Sequence, residues 1–401
     1  MNIIDPYYKK TVPYKFEGNT FEFKVSQDLF SSLEVDHGTQ RVLRTFLFEK
    51  IDSFKKVLDL GCGYGPIGIV LKKICPEAQV HMTDRDALAV EYAKANAELN
   101  GVAENTFCYG SLGYDSVKDT DFDLIISNIP AKVGEHVLTH MLKDAKSHLV
   151  KNGRVVIVVI DAINDYIHKE LTTDETIQIL YHKAWPGHHV YHYTFTEEAY
   201  KDIQLTSAFE RGEYARQKNT FIFQGKQLTL DTTFHLSEYD QLSYDSELLL
   251  SQLGTITEKL ENIVIFNPGQ GYVPLAVMKQ YNPQKLFLVD RDLQALIVSQ
   301  ENLVSNGYAK EHIEIHHQVG LAIPQTNIDA VIGVLPKKQE LAVYDMFTEQ
   351  EYSLLKPDGY FILSSTSTVI TRVLSLASKK FRFKVLERIK EKGRSLVILE
   401  K

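Results

Sequence analysis

Cysteine is scarce in this 401-residue chain, with only Cys62, Cys75 and Cys108 present. Their spacing fits no metal-ligand pattern, and an odd number builds no closed disulfide framework, so reduced, structural thiols are expected. No run of 18 apolar residues occurs, which excludes a conventional membrane-spanning helix. The start, Met1-Asn2-Ile3-Ile4-Asp5-Pro6, has neither the basic beginning nor the apolar core of a secretory signal. A cytoplasmic protein with no membrane association is therefore expected. An excess of basic charge is also missing: 44 Lys and Arg stand against 52 Asp and Glu, for a net charge of −8. The whole chain thus carries no electrostatic footprint for nucleic acid, which leaves only a local basic groove. Apolar and charged fractions of 44% and 24% are ordinary for a soluble globular protein. The length suggests two or three domains.

What the chain does have is concentrated in Val57-Leu58-Asp59-Leu60-Gly61-Cys62-Gly63-Tyr64-Gly65-Pro66-Ile67-Gly68. An apolar strand ends in an acid, glycines follow at alternate positions, and a helical pattern begins near Ile67. Glycines suit a loop that hugs a ligand, because they adopt unusual dihedrals and put no side chain between backbone and ligand. Gly63, Gly65 and Gly68 spell G-x-G-x-x-G with Asp84 further on, so a dinucleotide site matches on paper. Asp59 argues for another ligand. A carboxylate at the strand end repels a pyrophosphate and welcomes a ligand with an amino group.

Strands and helices alternate onward: Val80–Asp84, a helix from Ala87 to Asn100, Phe122–Asn128, a helix within 131–150, then Arg154–Ile160. This predicts an α/β fold with a mainly parallel, doubly wound sheet. The pattern then repeats. Val289-Asp290-Arg291-Asp292 copies Thr83-Asp84-Arg85-Asp86 at a separation of 206 residues, and the same shift aligns Asn96, Asn100, Asp123, Pro130 and Gly153 with Asn302, Asn306, Asp329, Pro336 and Gly359. Two copies of one domain are expected, at 1–195 and 217–401, with 196–216 as the connection. Each copy closes with strand, turn, strand, as in 176–181 and 188–195, which adds a terminal antiparallel hairpin to each seven-stranded sheet.

The copies differ where chemistry would sit. Asp59 becomes Ile265, Gly61 becomes Asn267, and Ser127-Asn128-Ile129-Pro130 becomes Gly333-Val334-Leu335-Pro336, while Asp290 survives. An apolar strand end cannot organise a charged ligand, so the second copy is expected to be degenerate. Its Lys337-Lys338, Lys379-Lys380 and Arg382 are candidates for phosphate contacts. His182, His188, His189 and His192 cluster around Trp185-Pro186-Gly187, but strand alternation sends His188 and His189 to opposite faces. A structural role is expected for them, and no metal site.

The Asp59-to-Gly65 loop with Asp84 resembles the first two motifs of class I S-adenosyl-L-methionine-dependent methyltransferases, Rossmann-like proteins whose sheet also ends in a hairpin. The resemblance implies that Asp59, Gly61, Gly63 and Gly65 wrap the methionine part of the cofactor. It also implies that Asp84 and Arg85 lie at the ribose, and Ser111 at the adenine. Asn128-Ile129-Pro130-Ala131 resembles the Asn-Pro-Pro-aromatic motif of amino-group methyltransferases, which implies catalytic roles for Asn128 and Pro130, with Ala131 in place of the stacking aromatic. Phe30-Ser31 through Asp36-His37-Gly38-Thr39 is similar to a segment of tandem-domain bacterial ribosomal RNA guanine-N2 methyltransferases, which adds Thr39, a candidate helix cap, to the cofactor site. Members of that family usually keep the working site in the second copy, and here the first keeps it. The implied function is N-methylation of a guanine amino group in ribosomal RNA. A methyltransferase for a small molecule or protein, and a non-catalytic cofactor- or RNA-binding scaffold, stay open.

Overall fold

A computed structural model describes residues 3–31, 33–49, 53–201, 203, 206–337 and 339–401. The first copy runs β1 (Lys10–Phe16), β2 (Asn19–Val25), α1 (His37–Phe48), β3 (Lys56–Leu60), α2 (Pro66–Ile74), β4 (Gln79–Asp84) and α3 (Ala87–Leu99). It continues through β5 (Thr106–Gly110), β6 (Phe122–Asn128), α4 (Glu135–Lys143), β7 (Leu149–Ile160), α5 (Asp161–Thr173), β8 (Ile177–Trp185) and β9 (His188–Phe195). The second copy opens with β10 (Ala215–Phe223), β11 (Lys226–Thr233), α6 (Tyr244–Gln252), β12 (Asn262–Phe266), α7 (Tyr272–Tyr281), β13 (Lys285–Asp290) and α8 (Leu293–Ser305). It closes with β14 (Ile313–His317), β15 (Ile328–Val334), α9 (Leu341–Leu354), β16 (Leu355–Thr366), α10 (Ser367–Leu376), β17 (Lys384–Glu391) and β18 (Arg394–Glu400).

Each copy forms a seven-stranded sheet with the same order, β5-β4-β3-β6-β7-β9-β8 and β14-β13-β12-β15-β16-β18-β17. The first five strands of each are parallel, and the last two form an antiparallel hairpin inserted with its second strand innermost. This is the doubly wound α/β architecture expected from the alternation and the repeat. The chain divides into two compact units, Tyr8–Tyr214 and Ala215–Lys401, and the second unit also includes the 3-10 turn Asp5–Tyr7, which rests on α9.

The residues repeated at 206 are those that hold backbone. Asn96 is fully buried; its Oδ1 accepts from Lys24 N at 2.7 Å, while Nδ2 donates to Lys24 O at 3.0 Å and Tyr64 O at 2.9 Å. Asn302 repeats the pattern on Asp231 N, Asp231 O and Gln270 O, each at 2.8 Å. One amide thus ties a helix, the β1–β2 hairpin and the glycine loop together. Asp123 and Asp329 each accept two backbone N–H groups that lead into the central strand, at Lys55 and Lys56 and at Glu261 and Asn262. A β-carbon on Gly153 would lie 2.7 Å from Leu149 Cγ, and one on Gly359 would lie 2.9 Å from Lys356 O, so both sites require glycine.

Three local differences from the sequence reading have physical causes. The helix expected within 131–150 is shorter, because a 3-10 turn at Asp144–Ser147 ends it and Leu149 already begins β7. The hairpins β1–β2 and β10–β11, not foreseen, are short alternating segments. Of the stretch 196–216, residues 207–214 pack on the first unit: Ser207 Oγ and Ala208 N donate to Asp115 at 2.7 and 2.9 Å, and Arg211 pairs with Asp144.

Asn96→Ala leaves one buried and two half-buried backbone groups without this partner, so it is expected to destabilise the first unit by about 1–3 kcal/mol. Asn96→Asp should do the same, because a carboxylate cannot donate to the Lys24 and Tyr64 carbonyls. Urea unfolding followed by circular dichroism measures both; wild-type midpoints would refute the clamp.

Candidate active site

Asp59 sits one residue from the end of β3 and is 1% exposed. Its Oδ2 accepts from Gly68 N at 2.8 Å, and its Oδ1 is buried with no hydrogen-bond partner among the described residues. Burial pushes its carboxyl up to about 7, the Gly68 N–H opposes this, and the Asp84 charge adds to it. An orphaned buried acceptor of this kind fits a ligand that brings a donor or a cation.

The glycines divide into two kinds. Gly61 and Gly63 have φ of 75° and 56°, and nothing lies within 4 Å of where their β-carbons would be, so side chains there would fill the open cradle. Gly65 and Gly68 serve packing instead. A β-carbon on Gly68 would lie 2.6 Å from Met82 Sδ, and one on Gly65 would lie 3.2 Å from the same sulfur. Gly65 also takes φ of 89°. Gly65 was expected to wrap a ligand together with Gly61 and Gly63, and its approach to Met82 sets it apart from them.

The loop's N–H groups are largely spent inside the protein. Gly61 N and Cys62 N donate to Thr83 O at 2.8 and 2.9 Å, Gly63 N to Asp84 Oδ2 at 2.9 Å, and Gly65 N to Cys62 O at 3.0 Å. Pro66 has none. A pyrophosphate needs such donors free, so the dinucleotide reading of G-x-G-x-x-G fails on geometry. Asp84 also accepts from Asp86 N at 2.9 Å, and its carboxyl is pushed up to about 6 by burial first. Arg85 follows Asp84 and is half-buried. Ser111 N donates to Asp84 O at 3.0 Å, while the Ser111 hydroxyl donates to Gly113 O at 2.7 Å. Asp59, Gly61, Gly63, Asp84 and Ser111 therefore belong to one edge of the sheet, at the carboxyl ends of β3, β4 and β5, where ligands of such folds bind.

Asn128 ends β6, half-buried, and Pro130 follows at similar exposure. Its Nδ2 donates to Asp36 Oδ1 at 3.2 Å. A carboxylate only accepts, so the amide nitrogen must face Asp36 and the amide oxygen is left for another donor. Asp36 also caps α1, accepting from Thr39 N at 3.0 Å and from the Thr39 hydroxyl at 2.5 Å. This corrects the sequence reading, in which Thr39 was the cap: Thr39 is the third helical residue, 2% exposed, and its hydroxyl is engaged by Asp36. Asp36 was missed because its signal, an Asp three residues before Thr39, reads as an ordinary N-terminus. A β-carbon on Gly38 would lie 2.9 Å from Asp36 Oδ1, 3.2 Å from His188 Cδ2 and 3.3 Å from Asn128 Nδ2. His188, hydrogen-bonded to Arg41, is thus brought to the same corner.

The other histidines lie away from it. His189 faces Asp161 of α5 at 3.4 Å and His182 at 3.2 Å, on the opposite side of the hairpin from His188. His192 is fully buried between Thr45 and Arg154, and burial pulls it down to about 3. Ser32 and Lys338 lie outside the described residues.

In the second unit the matching corner is filled. Ile265 replaces Asp59, and the Asn267 amide donates to Val334 O at 2.8 Å. Buried Asp245, which matches Thr39, pairs with Lys337 at 3.0 Å and Arg394 at 3.6 Å. The Glu238 carboxylate, held by Ser243 N and the Ser246 hydroxyl, stands 4.0 Å from the β-carbon position of Gly269. Lys379, Lys380 and Arg382 are exposed on one turn after α10.

A family model described as the methyltransferase small domain matches residues 20–177 and 229–395, most of both units. The chain is 32% identical over 152 residues to the uncharacterized protein YbxB of Bacillus subtilis, covering 38% of this chain and 74% of that one. It is 40% identical over 134 residues to ribosomal RNA small subunit methyltransferase C of Haemophilus influenzae, covering 32% of this chain and 39% of that one. The chain spans less than half the length of the curated ribosomal RNA methyltransferases it matches. The solved T. thermophilus 16S rRNA N2 G1207 methyltransferase, in complex with AdoMet and guanosine, covers the whole of both chains with a TM-score of 0.67 at 16% identity, and shares the fold.

Because Asp59 titrates near 7 when folded, above the usual carboxylate range, the folded chain keeps a proton that the unfolded chain has lost between roughly pH 4 and 7. Stability therefore falls as pH rises across that window. In Asp59→Asn this contribution disappears, so the melting temperature of the variant relative to wild type is expected to increase from pH 5 to pH 8 in scanning fluorimetry. An equal difference at both values would refute the buried charge.

Proposed function

The chain belongs to the methyltransferase small domain family and uses S-adenosyl-L-methionine, and we propose that its first unit methylates an exocyclic guanine amino group of ribosomal RNA. One observation carries the reading: the Asn128 amide, oriented by Asp36, beside a buried carboxylate cradle at the same sheet edge. When bound, the cofactor supplies a methyl group on a sulfonium already activated for transfer. Asp59 Oδ1, without a partner, suits its cationic amino group. Asp84 stands for the ribose hydroxyls, and the bare edges of Gly61 and Gly63 leave room for the ligand. Ser111 is assigned to the adenine side, and Arg85 and Thr39 to supporting positions.

Asn128 Oδ1 accepts a hydrogen bond from the target amino group and so turns the nitrogen lone pair toward the donor; Pro130 stiffens the turn that presents it. Asp36 is a positioning residue, since it holds the amide nitrogen and thereby decides which end of Asn128 faces the substrate. Aim and proximity supply most of the rate, and no strong base is required. The second unit, in which ion pairs and a carboxylate fill the matching corner, is read as degenerate and structural. Action on ribosomal RNA supports a cytoplasmic location.

Transfer of labelled methyl to deproteinised ribosomal RNA tests the reading. Asn128→Ala is expected to lower kcat by about 10²-fold, with S-adenosylhomocysteine affinity kept in calorimetry. In wild type that affinity should rise by up to about tenfold per pH unit toward pH 7 and then level off, whereas Asp59→Asn should bind weakly with no such rise. Transfer unaffected by Asn128→Ala, or binding that depends on Asp290 instead of Asp59, would overturn it.

A further inference from the structure

The first unit has a face that methyl transfer itself does not use. On α1, His37, Arg41, Arg44 and Phe48 follow at helical spacing and form one stripe. The hairpin β8–β9 presents Lys183, Trp185 and His188 to the same side. The Lys183 ammonium lies 4.4 Å from the Phe48 ring centroid and 4.9 Å from that of Trp185. Phe48 is 54% exposed, Lys183 and Arg44 are exposed, and Trp185 is half-buried. Among the described residues, Arg41, Arg44 and Lys183 form no ion pair, although the chain as a whole is acidic. Arg41 meets His188, a neutral or cationic ring that offers no negative charge to pair with the guanidinium; burial and the Arg41 charge hold its imidazole below the usual range.

Register ties this face to the site. Asn128 pairs with Val158, Val158 with Val190, and Val190 with Lys183, so Asn128 and Lys183 lie in one row across the sheet. Three strand spacings separate them, about 14 Å. Rings interleaved with unpaired cations are the chemistry of single-stranded nucleic acid binding: bases stack on the rings and phosphates meet the cations. An acidic peptide would use the cations and leave the rings without a partner. We infer that α1 and the β8–β9 hairpin form a track for the single-stranded RNA segment next to the nucleotide held at Asn128. This rests on the reading of the first unit as an RNA methyltransferase and adds to it the surface that holds the strand.

The test uses the full chain, saturated with S-adenosylhomocysteine, and a fluorescein-labelled ten-nucleotide oligouridylate, with anisotropy read across a salt series. Phe48→Ala and Trp185→Ala are expected to weaken binding roughly 5- to 150-fold each. Lys183→Gln should reduce the slope of log affinity against log salt by about 0.7. All three should bind S-adenosylhomocysteine like wild type; if Trp185→Ala loses that as well, the exposed Lys183→Gln decides. Wild-type strand affinity and slope in Phe48→Ala and Lys183→Gln overturn the track, and so does an RNA duplex of the same length that competes as well as the strand. If wild type still methylates ribosomal RNA in that case, only the track falls; if it neither binds nor methylates RNA, the function falls with it.

Discussion

One buried amide in each copy carries the architecture. Asn96 and Asn302, each carried on a helix, satisfy three backbone groups apiece, two from a hairpin strand and one from the glycine loop. These segments are distant in sequence, and no hydrophobic contact would set their register, since apolar packing is non-directional. A side chain with one acceptor and two donors does set it, because each unmade bond would leave a buried polar group unsatisfied. The glycine loop is therefore held from behind, by Asn96 at Tyr64 O, before any ligand approaches its front.

The copies diverged around that shared frame. In the first, burial without a partner is tolerated at Asp59 Oδ1, a cost that makes sense only if something else completes the site. In the second, the equivalent strand end is apolar, and the nearby carboxylate of Asp245 is neutralised by Lys337 and Arg394. Stability and ligand readiness thus pull in opposite directions at the same place in the fold, and each copy has settled on one of them.

Asp36 shows how a helix terminus becomes part of a site. Its carboxylate has lone pairs for both the first turn of α1 and the Asn128 amide, so the start of the helix and the end of β6 are fixed together. The same helix then runs past Arg41, Arg44 and Phe48, which places a cationic and aromatic stripe beside the corner that it caps. The closing hairpin contributes His188, Trp185 and Lys183 because its inner strand pairs with β7.

Local pattern was enough to read the alternation of strands and helices, the repeat at 206 residues, the doubly wound sheets with their closing hairpins, and the loss of polar strand ends in the second copy. Each depends on chemistry within a few residues, or on identity at a constant shift. The glycines were legible as a loop but not in their roles, since only the approach of Met82 distinguishes Gly65 and Gly68 from the open Gly61 and Gly63. Thr39 looked like a cap because its type suits one, whereas the position was decided by Asp36, which also had to reach Asn128 from 92 residues away. The donors spent inside the loop, the orphaned oxygen of Asp59 and the meeting of α1 with the hairpin exist only after folding. They are distances between groups remote in sequence, and the burial that gives them their energy is a property of the packed chain.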